Sequence, residues 1–281
     1  MPLTQELFRA AAQAFDPYRP GSGTEHLALV LYSLMRMTRP ARVIEFGSGY
    51  TTLFMLAALA DNAADVAEEE AQLRVKTAAV GDRSVIGQGI EHPAVKEWFG
   101  GGHKACAVDP RYYLRTYTPQ LYAFEQRDGD HEYVARMTQV VSELGYDTLF
   151  TYLQGRRFDV EALPPEALPI DLAWHDDTCC ELFYEQFWPV LNPEGGLMIY
   201  HNTASVESSW DLIRRLAEKH AKAGDMEILT LQEPHKLNQN SCTILRRTTT
   251  YQPSYLTRTL DHVAAGLEQW LARHPGQAPT T

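Results

Sequence analysis

Polar side chains follow two apolar segments of the chain directly. His175, Asp176 and Asp177 come after DLAW, and His201 and Asn202 come after LMIY. In open parallel sheets, ligands bind beyond the carboxyl ends of the strands. A neutral histidine there can remove a proton from a phenol or an amine near pH 7. His201, His175 and Asp176 are therefore the catalytic candidates.

A glycine turn in the segment VIEFGSGYTT (43–52) is the second candidate site. Gly47, Ser48 and Gly49 stand between a predicted strand and a predicted helix, where a missing Cβ lets a ligand approach the backbone closely. The third glycine of a dinucleotide fingerprint is missing, and so is the lysine of a phosphate-binding loop. Glu45, two residues before the first glycine, suits a ligand with a positively charged amino-acid portion.

Strand and helix patterns alternate along most of the chain. This alternation predicts an α/β fold with a mainly parallel sheet and helices on both faces. The predicted strands are 42–46, 120–125, 148–153, 170–174, 197–200, 226–231 and 241–247, and the predicted helices are 24–37, 51–60, 131–144, 178–191 and 207–223.

One segment interrupts this alternation. We predict a single domain over 1–281 with an insertion at about 62–118, because about sixty residues there exceed what a simple crossover needs. The insertion is expected to form a lid or a subunit arm, which makes it the candidate contact of a homodimer. Its EEE run at 68–70 is expected to be a solvated helix face. An extra helix is predicted at about 254–272.

Composition narrows the function classes. The formal net charge is −11 and no basic run interrupts it, which argues against nucleic-acid substrates. No apolar stretch is long enough to span a bilayer, and four cysteines without CxxC spacing are typical of a reduced protein. We expect a cytoplasmic protein that acts on a small molecule, without a membrane partner.

Four motifs carry a family resemblance: VIEFGSGYTT, LYAFEQ, DLAWHDD and LNPEGGLMIYHNT. Their order resembles that of class I S-adenosylmethionine-dependent methyltransferases over about 25–60 and 119–247, and their spacing is most similar to the catechol-type, metal-assisted O-methyltransferases. The resemblance implies a Rossmann-like seven-stranded sheet. It also implies methyl transfer from S-adenosyl-L-methionine to an oxygen or nitrogen of a small molecule. The acidic composition and the large insertion favour a small substrate under a lid, as in secondary metabolism.

The resemblance also implies a set of cofactor contacts. An acid at the end of the second strand would bind the ribose hydroxyls, because a carboxylate accepts two hydrogen bonds in parallel. Asp109 and Glu125 are both candidates, and Glu125 is preferred because a helix and another strand follow it. The implied cofactor-binding residues are Glu45, Gly47, Ser48, Gly49, Thr51, Glu125, Gln126, Gly155, Arg156 and Asp176.

A divalent metal is a further candidate cofactor. Aligning DLAWHD and MIYHN with the catechol-type pattern gives Asp176, His201 and Asn202 as its ligands, with a histidine where that family has an aspartate. This donor set favours manganese, iron or zinc over magnesium. A general base or a structural histidine at position 201 is the alternative, and the sequence leaves all three roles open.

Two other function classes compete with methyl transfer. A nicotinamide-dependent oxidoreductase is disfavoured by the missing third glycine. A catalytically silent S-adenosylmethionine-binding or scaffold protein is disfavoured by the ionisable residues at two strand ends. Arg157 and Lys236 are candidates to pair with a substrate carboxylate.

Overall fold

A computed structural model describes residues 5–18, 22–79, 93, 109–125, 132–154, 159–176, 179–248 and 260–273. The chain divides into two compact units. The first comprises residues 1–62 and 119–251, and the second comprises residues 63–118 and 252–281.

The first unit contains a seven-stranded sheet in the order β3-β2-β1-β4-β5-β7-β6. Strand β7 runs antiparallel to its neighbours β5 and β6, and the pairings among β1 to β5 are parallel. The mainly parallel α/β fold predicted from the sequence is thus confirmed. The strands are β1 (Arg42–Phe46), β2 (Gln120–Glu125), β3 (Phe150–Gln154), β4 (Leu172–His175), β5 (Glu194–His201), β6 (Met226–Gln232) and β7 (Ser241–Thr248).

Helices cover both faces of this sheet. Alternate strand residues point to opposite faces, and apolar side chains on each face pack against helices. On β1, Val43 belongs to one apolar cluster, whereas Ile44 and Phe46 belong to the other. The first cluster includes residues of α1 (Gln5–Ala14), α2 (Leu27–Thr38), α3 (Tyr50–Ala79) and α4 (Glu132–Glu143). The second includes residues of α5 (Cys180–Phe187) and α6 (Glu207–Ala221).

Two helix ends follow from single residues. Gly145 directly follows Leu144, after the end of α4, with φ of +74°, a conformation that glycine adopts without steric cost. Helix α5 ends at Phe187, short of the predicted residue 191, because Pro189 has no N–H with which to continue the helical hydrogen bonds, although Trp188 before it keeps helical angles.

The first helix after the glycine turn is longer than predicted. Instead of ending near residue 60, α3 continues to Ala79, so the insertion predicted from about residue 62 begins inside a helix. Residues 61–79 contain good helix formers and neither glycine nor proline, which explains the continuation. The expectation of a wholly solvated EEE run was wrong at Glu69, which is buried and accepts a hydrogen bond from the Tyr113 hydroxyl at 2.7 Å.

The described residues of the second unit include the later part of α3, a 3₁₀ helix (Pro110–Leu114) and α7 (Leu260–Arg273). Leu73 and Trp270 are buried, and the Arg74 guanidinium lies 5.9 Å from the Trp270 ring centroid. Residues 254–259 of the predicted C-terminal helix lie outside the described residues. Within the described ranges, no helix combines the length and apolarity that a membrane span needs.

Candidate active site

The glycine turn packs tightly against two neighbouring elements of the first unit. Gly47 has φ of +88°, and a Cβ there would stand 2.9 Å from the carbonyl oxygen of Asp176. A Cβ on Gly49 would stand 2.8 Å from the Tyr133 hydroxyl, which donates a hydrogen bond to the Ser48 carbonyl. Larger residues at 47 and 49 would therefore push the turn away from β4 and α4. The turn lies directly beside the end of β4.

Glu45 lies beneath this turn and is fully buried. Its carboxyl oxygens accept hydrogen bonds from Thr51 at 3.2 Å and from Thr52 at 2.7 Å, and the Thr52 hydroxyl in turn accepts the Gly49 N–H at 2.7 Å. Burial raises the pKa of Glu45 to about 8; the threonine hydroxyls oppose the shift, and the charges of Asp176 and Glu125 add to it. Glu45 thus holds the turn in place through hydrogen bonds, and the Thr51 hydroxyl points at Glu45.

Glu125 ends β2 beside the same turn. The Ser48 hydroxyl donates a hydrogen bond to its carboxylate at 3.1 Å and lies 3.2 Å from the Tyr152 hydroxyl. Asp109, the alternative ribose-binding acid, belongs to the second unit, where it caps the 3₁₀ helix and binds Arg111 through hydrogen bonds of 2.7 to 3.2 Å. The geometry therefore favours Glu125 as the acid next to the glycine turn.

Asp176 and His201 form a pair across the carboxyl ends of β4 and β5. Nδ1 of His201 lies 2.6 Å from Oδ1 of Asp176. The His201 side chain is 1% exposed and the Asp176 side chain is 26% exposed, so the carboxylate is the accessible member. Nε2 of His201 is buried without a hydrogen-bond partner among the described residues, and its ring stacks on Trp174 at 6.0 Å. This assigns the proton to Nδ1, which donates to Asp176.

The predicted metal ligands Asp176, His201 and Asn202 already make polar contacts with other protein groups. Bonds of about 2.0–2.2 Å to one ion place two adjacent ligand atoms at least about 3 Å apart, more than the 2.6 Å between Asp176 and His201. The Asn202 amide oxygen accepts the Gln239 N–H at 3.1 Å. As arranged, these residues do not fit a shared ion. The metal assignment stays a prediction.

The other candidates fall into three groups. His175 is fully buried among aromatic rings, with Phe183 at 4.6 Å and Tyr200 at 5.5 Å, on the opposite face of β4 from Trp174. The Lys236 ammonium is engaged by Glu25 at 2.6 Å, so it is not available as predicted for a substrate carboxylate. Asp177, Gln126, Gly155, Arg156 and Arg157 lie outside the described residues.

Two tyrosines of this site were missed in the sequence. Tyr133 and Tyr152 come from α4 and β3, and each contacts Ser48. Burial raises the pKa of Tyr152 well above its ordinary value. Tyr133 stood on the apolar face of a predicted helix, and no motif distinguishes such a tyrosine from a packing residue.

Comparisons with solved structures identify the fold of this chain. No protein-family model and no curated protein matches the chain. The O-methyltransferase TomG from Streptomyces achromogenes, solved with S-adenosylmethionine, is 16% identical with a TM-score of 0.54, over 87% of this chain and 90% of that one. The Bacillus cereus O-methyltransferase, solved with S-adenosylhomocysteine, is 12% identical with a TM-score of 0.52, over 86% of this chain and 89% of that one. The S-adenosylhomocysteine-bound methyltransferase PaMTH1 of Podospora anserina is 10% identical with a TM-score of 0.52, over 87% of this chain and 88% of that one. The chain has the class I methyltransferase fold, as its motifs predicted.

Proposed function

We propose that the protein is an S-adenosylmethionine-dependent methyltransferase that acts on an oxygen of a small molecule. The observation that carries this proposal is the contact of Ser48 with Glu125 at 3.1 Å. It brings the glycine turn and a carboxylate together at the carboxyl ends of two adjacent parallel strands, where α/β folds bind ligands. Neighbours of the same fold, solved with S-adenosylmethionine or its demethylated product, support the choice of ligand.

The cofactor would supply a methyl group on a positively charged sulfonium. Glu125 has the chemistry to accept two ribose hydroxyls, and the turn at Gly47 to Gly49 presents backbone rather than side chains to the ligand. Glu45 adds a carboxyl group directly under the turn, close to where a cationic amino-acid portion would lie.

The acceptor must be aligned with the methyl group and must lose its proton. Alignment alone contributes several powers of ten to the rate. We assign the removal of this proton from the acceptor to Asp176, because its carboxylate is the exposed member of the Asp176–His201 pair and lies beside the glycine turn. His201 is a positioning residue, since its Nδ1–H fixes one carboxylate oxygen and leaves the other for the substrate.

The cofactor proposal is tested by calorimetry of the full chain with S-adenosylmethionine, S-adenosylhomocysteine and NAD. We expect both sulfur ligands to bind and NAD not to bind. Saturable binding of NAD alone would support the oxidoreductase alternative instead. Binding of S-adenosylmethionine without transfer of labelled methyl to any of a panel of phenols and catechols would favour the silent binding protein.

The role of the pair is tested by variants in the same transfer assay. Asp176→Asn is expected to lower turnover by about 10²–10⁴-fold while cofactor affinity stays unchanged. His201→Asn should lose part of the rate and alter its pH profile, because the carboxylate loses its fixed partner. Activity that chelation abolishes and Mn²⁺ or Mg²⁺ restores would instead assign the pair to a metal.

A further inference from the structure

A second cluster of metal-ligating side chains lies where the chain leaves β6. His26 immediately precedes α2, and Glu233 and His235 follow β6. Nδ1 of His26 contacts Oε1 of Glu233, and the two imidazole rings meet edge to face at 5.6 Å. One ligand atom from each of the three residues lies within 4.8 Å of the other two. Both histidines are exposed, so an ion from solvent can reach them.

We propose that His26, Glu233 and His235 bind one divalent transition-metal ion of the Zn²⁺ class. Two imidazoles and one carboxylate are a frequent ligand set for zinc, and imidazole also suits nickel, copper and iron. Ligand atoms around a tetrahedral ion lie about 3.4 Å apart, given metal–ligand bonds of about 2.0–2.2 Å. The contacting atoms of His26 and Glu233 lie closer than this, and rotation of the exposed histidine side chains would set the required spacing. The His201 side chain is 1% exposed and lacks this freedom. Three protein ligands leave a position for water or another small ligand.

The carboxylate of this set is already oriented by a second layer of contacts. Lys236 donates to Oε2 of Glu233 at 2.8 Å, to Oε1 of Glu25 at 2.6 Å and to the Gly23 carbonyl at 3.1 Å. All three ammonium protons are thus used, and Oε1 of Glu233 is left to face His26. Such outer contacts fix a ligand before the metal arrives. Two carboxylates against one ammonium also leave a net negative charge for a cation.

The backbone holds the same loop in place. The Glu233 N–H donates to the Asn240 carbonyl at 2.7 Å, and the Lys236 N–H donates to the Glu233 carbonyl at 3.1 Å. Further along, the Gln239 N–H binds the side chain of Asn202. An ion shared by His26 and this loop would therefore stabilise the segment that contacts Asn202. Its binding does not depend on methyl transfer.

Co²⁺ is a suitable probe, because its visible absorption reports the coordinating atoms. The full chain, freed of metal by chelator and dialysis, is titrated with Co²⁺ and then with Zn²⁺. We expect one equivalent of Co²⁺ to bind and Zn²⁺ to displace it. His26→Ala, His235→Ala and Glu233→Gln should each weaken binding by at least about tenfold, and Lys236→Met by about 10–100-fold.

Two control variants make the test specific. Glu227→Gln removes an exposed carboxylate of β6 that pairs with Arg246, and it should leave the Co²⁺ spectrum unchanged. Asp176→Asn should also leave it unchanged. Loss of the spectrum in Asp176→Asn, with retention in His26→Ala, would move the metal to the Asp176–His201 pair and overturn the proposal. Absence of saturable binding in the unmodified protein would overturn it as well.

Discussion

Replacing Glu45 by glutamine should change how the free energy of unfolding depends on pH. Burial raises the pKa of Glu45 from 4.5 to about 8 in the folded protein, whereas an unfolded glutamate titrates near its ordinary value. Between these two pH values the folded state binds the proton and the unfolded state releases it. The stability contribution of Glu45 is therefore fully present below pH 4.5 and is lost as the pH rises through about 8.

The size of the effect follows from the two pKa values. Each pH unit inside the window removes about 1.4 kcal/mol, so the complete loss is about 5 kcal/mol. This is a large fraction of the stability of a typical domain, about 5–15 kcal/mol. Glutamine keeps an acceptor for the hydroxyls of Thr51 and Thr52 and carries no charge at any pH. The Glu45→Gln variant should therefore lack this slope.

Urea denaturation followed by tryptophan fluorescence at several pH values between 5 and 9 measures the difference. We expect Glu45→Gln to gain stability relative to the unmodified protein as the pH rises, by several kcal/mol over the interval. Glu227→Gln, at an exposed ion pair, should run parallel to the unmodified protein. Parallel curves for Glu45→Gln would refute the burial argument, because an anionic Glu45 already present at pH 5 would produce no slope.

Three further changes test the surroundings of the turn. Gly49→Ala should lower stability by about 1–3 kcal/mol in thermal or urea unfolding, since its Cβ meets the Tyr133 hydroxyl at 2.8 Å, and the double variant with Tyr133→Phe should recover part of the loss. Glu125→Ala should weaken S-adenosylmethionine binding in calorimetry by about 1–3 kcal/mol, whereas Asp109→Ala should not; the reverse result would assign the ribose contact to Asp109. Ser48→Ala should cost about 1 kcal/mol in the same assay, less than Glu125→Ala, because it removes only the bond that orients the carboxylate.

The strands and the turn were predictable because short-range patterns determine them. The apolar segment before Glu45 and the two glycines after it predict a strand and a turn without reference to the rest of the chain. Glu125 was chosen over Asp109 because a helix and another strand follow it. In the structure Glu125 lies beside Ser48 and Asp109 caps a 3₁₀ helix, and the ribose contact itself stays a prediction.

Side-chain roles were less predictable, because they depend on contacts between distant segments. His175 and His201 look alike in sequence, since each follows an apolar strand. Yet His175 lies among Phe183 and Tyr200, whereas His201 binds Asp176. The burial of Glu69 was missed for the same reason, because its partner Tyr113 lies more than forty residues away.

The strand order explains why the candidate catalytic and cofactor residues meet at one place. The chain builds β1, β2 and β3 outward in one direction, then returns to place β4 and β5 on the other side of β1. Between β1 and β4 the connections therefore leave in opposite directions, and a crevice opens at the carboxyl ends of the two strands. Gly47 directly follows β1 at this point and packs against the Asp176 carbonyl. The residue assigned to remove the proton is thereby held beside the turn assigned to the cofactor by a backbone contact, which a substitution of its side chain leaves in place.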